Sequence, residues 1–197
     1  MIFYDFGLSV REYAHRGKKN DFPEVDICPH CKGHIRLLRH GFYNRNTITN
    51  NNIFYIPICR LKCPFCGKTV SLIPSFLFPY LQHTITTILV KLKNFFCYRK
   101  FTGYRQLIEF LSQRFMKNLL LIEIFFRDIG FRGVFPFKLK EKAIKLVEML
   151  LAFAKPPSEE GATDIFRLTL WQINSILFYP PENYFFSVLD FPSRLIS

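Results

Sequence analysis

The sequence predicts the α+β class, with a small β unit followed by an all-α helical domain. Three observations predict it. Two C-x2-C pairs, Cys28/Cys31 and Cys63/Cys66, are separated by 31 residues, and each has proline after its first cysteine. Strand-like runs lie between and after them. From Tyr80 onward, apolar residues recur at helical spacing.

Two thiolates spaced by two residues grip one metal ion from a tight turn. Two such turns complete a tetrahedron of four sulfurs, the ligand set of a structural zinc site. Residues 27–78 therefore read as a zinc ribbon in which Cys28, Cys31, Cys63 and Cys66 hold one Zn2+. Four thiolates leave no open coordination position, so the metal is expected to be structural. Cys59, His30, His34 and His40 lie near the pairs, and three cysteines plus His34 form an alternative ligand set, but the matched C-P-x-C pairs favour four cysteines. Cys59 then reads as a buried or half-buried thiol on the strand. No thioredoxin-like βαβ pattern surrounds the pairs, so a redox role is not expected.

The elements follow in order. Residues 1–26 read as an N-terminal extension: Ile2 to Phe6 as a short strand or apolar flap, Arg11 to Asn20 as a polar, basic loop. A first strand is expected over residues 35–40, an exposed turn or loop over 44–52, a return strand over 53–58 and a third strand over 69–73. Residues 79–155 read as the helical domain. One helix is expected from Tyr80 to Phe96. Another begins near Tyr104 with Thr102 as its N-cap, and an interruption at Ser112-Gln113 precedes a further apolar face. Two short helices with a tight joint fit a helix-turn-helix over about 102–128, with Gln113, Arg114, Lys117 and Asn118 on one side of its second helix. Residues 138–154 form an amphipathic helix whose apolar face serves as core or as a homo-oligomer contact. Residues 156–197 read as a linker, a helix from Ile165 to Leu177 and a tail.

Composition narrows the function. The formal charge of the 197 residues is +12. No acidic side chain occurs between Asp26 and Glu109, whereas 12 Lys or Arg do. Such a segment is an electrostatic partner for a polyanion, nucleic acid above all. The uncharged run Thr69–Val90 has the length of a membrane span, but Pro74, Pro79, Gln82 and His83 interrupt it, so no membrane partner is expected. No charged-then-apolar start with a cleavage site is visible, and the expected location is cytoplasmic.

The pattern Cys28-x2-Cys31, His40-Gly41-x-Tyr43-x-Arg45, Ile58-x-Arg60-x2-Cys63-x2-Cys66, then Thr69-x-Ser71-Leu72-Ile73-Pro74-Ser75-Phe76-Leu77-x-Pro79-Tyr80 resembles the N-terminal zinc-binding region of bacterial insertion-sequence transposases. It is also similar to short uncharacterised proteins of Gram-positive bacteria that carry this ribbon without a full transposase. The resemblance covers roughly residues 25–130. It implies that the ribbon precedes a DNA-binding helix-turn-helix.

The carboxylate triad of a strand-transfer domain has no counterpart: Glu141, Glu148, Glu159, Glu160, Asp164, Glu182 and Asp190 fall on helix faces, in the linker or in the tail. No phosphate-cradling glycine loop or nucleophile motif occurs either, so an enzyme is not expected. The sequence thus points to a zinc-dependent protein that binds double-stranded DNA. Arg36, Arg39, Arg45, Arg60, Lys62 and Lys68 would meet phosphates, and the helix around Gln113, Arg114, Lys117 and Asn118 would enter the major groove. The alternative is a module that binds a protein partner, as ribbons in transcription machinery do. RNA is a third option, with Phe42, Tyr43, Phe54 and Tyr55 as stacking candidates.

Overall fold

The computed structural model describes residues 1–78 and 80–153. It is a mixed α+β structure. Strands β1 (Ile2–Tyr4), β2 (Leu38–Ile48), β3 (Ile53–Lys62) and β4 (Thr69–Pro74) form one sheet in the order β1-β4-β3-β2. Helix α1 (Val10–Arg16) lies between β1 and β2. After the sheet come α2 (Ile85–Tyr98), α3 (Arg105–Lys117), α4 (Leu119–Asp128) and α5 (Leu139–Phe153). The 156–163 linker and the 165–177 helix expected from the sequence lie outside the described residues.

Residues 1–26 are part of the sheet unit. β1 runs parallel to β4, with Ile2 opposite Leu72 and Tyr4 opposite Pro74. The stretch expected to be a loop over Arg11–Asn20 instead begins as α1. Ser9 accepts from the Glu12 amide and the Glu12 carboxylate accepts from the Ser9 amide, a capping box that starts a helix despite its polar composition. Tyr13 anchors that helix. It is fully buried on the sheet, and its hydroxyl donates to Pro57 O at 3.0 Å. Asn20 closes the turn after α1 by donating to Tyr13 O and Gly17 O.

β2 is much longer than the strand expected over 35–40, and it absorbs most of the supposed 44–52 loop. It pairs antiparallel with β3 from Leu38 opposite Lys62 to Ile48 opposite Ile53, with one irregularity between Arg39 and Gly41. Asparagine is a poor strand former alone. Here the long apolar β3 supplies a ladder that overrides the local preference. Only Thr49 to Asn52 turn, held by Thr49 N to Asn52 O at 2.9 Å and Asn52 N to Thr49 Oγ1 at 3.0 Å.

Two cores result. The sheet unit buries Tyr13, Ile56, Ile58, Cys59, Leu61, Leu72 and Ile73, while the helices bury Phe78, Ile88, Leu92, Phe115, Phe126 and Val147. The segment between β4 and α2 joins them. Ile48 N donates to Gln82 O at 2.7 Å and Thr84 N to Ile48 O at 3.0 Å, so the end of β2 extends its pairing onto the chain that enters α2. α2 begins at Ile85, later than expected, because Tyr80 has a positive φ of 63° and Thr84 is the N-cap, accepting from Thr87 N.

The α3–α4 region departs from the sequence reading in three ways. The N-cap of α3 is Tyr104, not Thr102, since Gly103 has φ 104° and cannot continue a helix. Ser112 and Gln113 do not interrupt: Ser112 Oγ donates to Glu109 O one turn back, and the helix runs through. The joint is the single residue Asn118, at φ −100° and ψ 8°. A turn of about 3–4 residues is usual between the helices of a helix-turn-helix, and α3 and α4 are not joined by one.

Candidate metal centre and basic surface

Cys28 and Cys31 lie on a turn before β2. Cys63 and Cys66 lie on the turn between β3 and β4. The two turns share one main-chain pattern. Cys28 N donates to Gly33 O at 3.1 Å and Lys32 N to Cys28 O at 2.9 Å. Cys63 N donates to Lys68 O and Gly67 N to Cys63 O, both at 3.0 Å. Lys32 (φ 58°) and Gly67 (φ 71°) occupy the same left-handed position. That conformation is free for glycine and costs lysine about 1 kcal/mol.

The folded turns bring all four cysteine sulfurs within 4.8 Å of one another. Sγ of Cys28 lies 3.7 Å from that of Cys66, and Sγ of Cys31 lies 3.9 Å from that of Cys63. A disulfide would need about 2.05 Å; all four are free thiols. Four sulfurs around one ion, each at the zinc–thiolate length of about 2.3 Å, stand about 3.8 Å apart. The donor set therefore fits a single tetrahedral metal ion. His34 is outside this group and exposed, and Cys59 is buried in the sheet core as expected.

The electrostatics suit a cation. Burial raises the Cys28 thiol. The amides of Cys31 and His30, with the thiols of Cys31 and Cys63, outweigh it and bring Cys28 down to about 6. The Gly33 amide lowers the Cys31 thiol, but burial and the thiols of Cys28, Cys66 and Cys63 push it up to about 11. Crowded thiols compete for protons, and a metal ion that binds them releases those protons. Cys66 N also approaches Cys63 Sγ at 3.5 Å, one more donor facing sulfur.

The cations named from the sequence have unequal fates. Arg45 turns inward: its guanidinium donates to the carbonyls of Phe78 and Leu81, and burial lowers its pKa. Its Nη2 is therefore committed to the main chain, and this half-buried side chain is a poorer phosphate ligand than an exposed cation. Arg36 pairs with Glu24 at the surface. Arg39 stacks over Phe22, 5.5 Å from the ring centroid. Arg60 donates to Thr69 Oγ1 at 3.0 Å, and Lys62 and Lys68 are exposed. Arg60 and Lys62 share one sheet face, since they stand two apart on β3. Leu61, partnered with Arg39, points to the other.

Gln113, Arg114 and Lys117 lie on the last turns of α3, the first helix of the pair and not the second. Asn118 is the buried joint. α4 buries Leu119, Ile122, Phe125 and Phe126 and presents Leu120 and Ile124 to solvent, so it is a core helix with an apolar outer face.

One surface was not singled out from the sequence: the corner between α2 and α3, where Tyr98, Arg99, Lys100, Phe101, Tyr104 and Arg105 alternate aromatics with cations. The signal was in the chain, as two Tyr-Arg steps within eight residues of an acid-free stretch.

A family model described as "Domain of unknown function (DUF6431)" matches residues 28–102, from the first cysteine of the cluster to the loop before α3. The chain is similar to that family over both cysteine pairs, β2 to β4 and α2. No curated protein and no solved structure matches the chain. Among the described residues, no helix is long and apolar enough to cross a membrane.

Proposed function

We propose that the protein binds double-stranded DNA through a sheet unit folded around one structural Zn2+, and that it is related to the DNA-recognition half of insertion-sequence transposases. The observation that carries the reading is a coincidence along the sequence. The four-thiol cluster lies within the stretch that holds 12 Lys or Arg and no acid between Asp26 and Glu109. Zinc is the ion that best suits four thiolates in a tetrahedron. Arg60, Lys62 and Lys68 supply phosphate contacts, while Arg39 lies on the other sheet face, over Phe22. Arg45 serves the fold, and α3, not α4, presents the polar face of the helical region.

Zinc content of the purified chain and duplex binding at two salt concentrations test this. The expected result is one zinc per chain and an affinity whose logarithm falls with log salt by about 0.9 for each phosphate neutralised. Lys62→Glu/Lys68→Glu weakens duplex binding and keeps the metal. Zinc without duplex binding at low salt would refute the DNA reading. It would favour a protein-interaction module, for which the exposed Leu120 (67%) and Ile124 (45%) on α4 are the supporting observation.

A further inference from the structure

A cleft of about 430 Å³ opens beside the α2–α3 corner. Phe95, Phe96 and Met116 line it with apolar surface, Gln113 adds an amide, and three cations come from the C-cap of α2 (Arg99), from α3 (Lys117) and from α5 (Lys140). No acidic side chain pairs with Arg99, Lys100, Lys117 or Lys140 among the described residues. The corner beside it is anchored. The Phe101 ring packs against Phe95 at 5.3 Å, Lys91 Nζ donates to Thr102 O at 2.5 Å, and Arg99 N donates to Phe95 O at 3.0 Å. At the two ends of this loop, Tyr98 on the last turn of α2 and Tyr104 at the N-cap of α3 are 71% and 83% exposed. Arg99 also lies over the Phe95 ring, 5.6 Å from its centroid. Large exposed aromatics beside cations that have no acidic partner are a stacking surface with an electrostatic funnel.

We infer that this corner and cleft bind single-stranded DNA, with unpaired bases stacking on Tyr98 and Tyr104 or entering the cleft, and phosphates meeting Arg99, Lys100, Lys117 and Lys140. The inference deepens the nucleic-acid reading above and rests on it. A duplex does not exploit the surface, since its base faces are already stacked on one another. An unpaired base has both faces free, and every base has a π-face, so the site is tolerant of sequence. The Gln113 amide can both donate to and accept from a base edge.

The test is fluorescence anisotropy of the full chain with three labelled probes: a short oligo(dT), an abasic strand with the same number of phosphates, and a duplex hairpin. Oligo(dT) binds more tightly than the abasic strand. Tyr98→Ala/Tyr104→Ala, at two exposed positions, weakens oligo(dT) binding by at least about tenfold and leaves the duplex unaffected. Lys117→Glu/Lys140→Glu weakens oligo(dT) and the abasic strand alike. Equal binding of oligo(dT) and the abasic strand, or no loss in the tyrosine variant, overturns the inference while duplex binding stands. Tyrosine-dependent binding of oligo(dT) without any duplex binding supports it and refutes the duplex reading instead.

Discussion

The guanidinium of Arg45, on β2, donates to the main-chain carbonyl of Phe78 at 2.5 Å. Arg45 belongs to the sheet, and Phe78 packs into the helical core. A second donation, to Leu81 O, fastens the same segment. Arg45 therefore joins the two cores by satisfying carbonyls on an irregular stretch that has few ladder partners. Replacing it with methionine keeps much of the volume and removes the donors. We expect a stability loss of about 2 kcal/mol, with duplex affinity unchanged at temperatures where the variant is folded. Denaturant titration and binding measured side by side check this, and a selective loss of affinity would mark Arg45 as a phosphate ligand after all.

Cysteine substitutions separate the cluster from the other thiols. Ligation by four thiolates is worth about 10 kcal/mol or more to a small metal-held unit, comparable to the whole stability of a typical domain. Cys28→Ser or Cys63→Ser should abolish stoichiometric metal binding and melt the sheet signal in circular dichroism. Cys59→Ser should keep the metal, because Cys59 is buried outside the cluster. Metal retained in the Cys28 variant would exclude the four-thiol site.

The attachment of α1 to the sheet depends on Tyr13. Tyr13→Phe deletes the hydroxyl that donates to Pro57 O and leaves the ring contacts with Phe6 and Phe76 in place. The expected cost is about 1 kcal/mol. Ser9→Ala removes the cap of the same helix and is expected to cost about 1 kcal/mol. Chemical denaturation of each variant measures both, and no change in either would mean that α1 contributes little to holding the sheet.

His83, in the segment that pairs with Ile48, gives a pH dependence. Burial, followed by the charge of Lys91, holds its pKa below the ordinary 6.5. The unfolded chain thus takes up a proton more readily than the folded one. Stability is complete above the ordinary value and falls as pH drops through it. The melting temperature should decline as pH falls below about 6.5 more steeply in the wild type than in His83→Asn. Parallel curves would assign the decline to other groups.

The sequence by itself determined the four-cysteine cluster, because the turns that carry it are local. A C-P-x-C pair with a residue able to turn left-handed sets its own geometry. Two such pairs need only a hairpin between them to meet. The apolar faces of α2 and α5 were legible for the same reason, since periodicity within one helix is a short-range property. Tertiary structure alone decided the rest. The polar stretch of β2 became strand because β3 offered a ladder, α1 survived because Tyr13 found the sheet, and β1 was placed by pairing with β4, some seventy residues away. It also sorted the cations. Arg45 looked like Arg39 and Lys62 in the sequence, but only in the folded chain do the carbonyls of Phe78 and Leu81 come within reach of its Nη2.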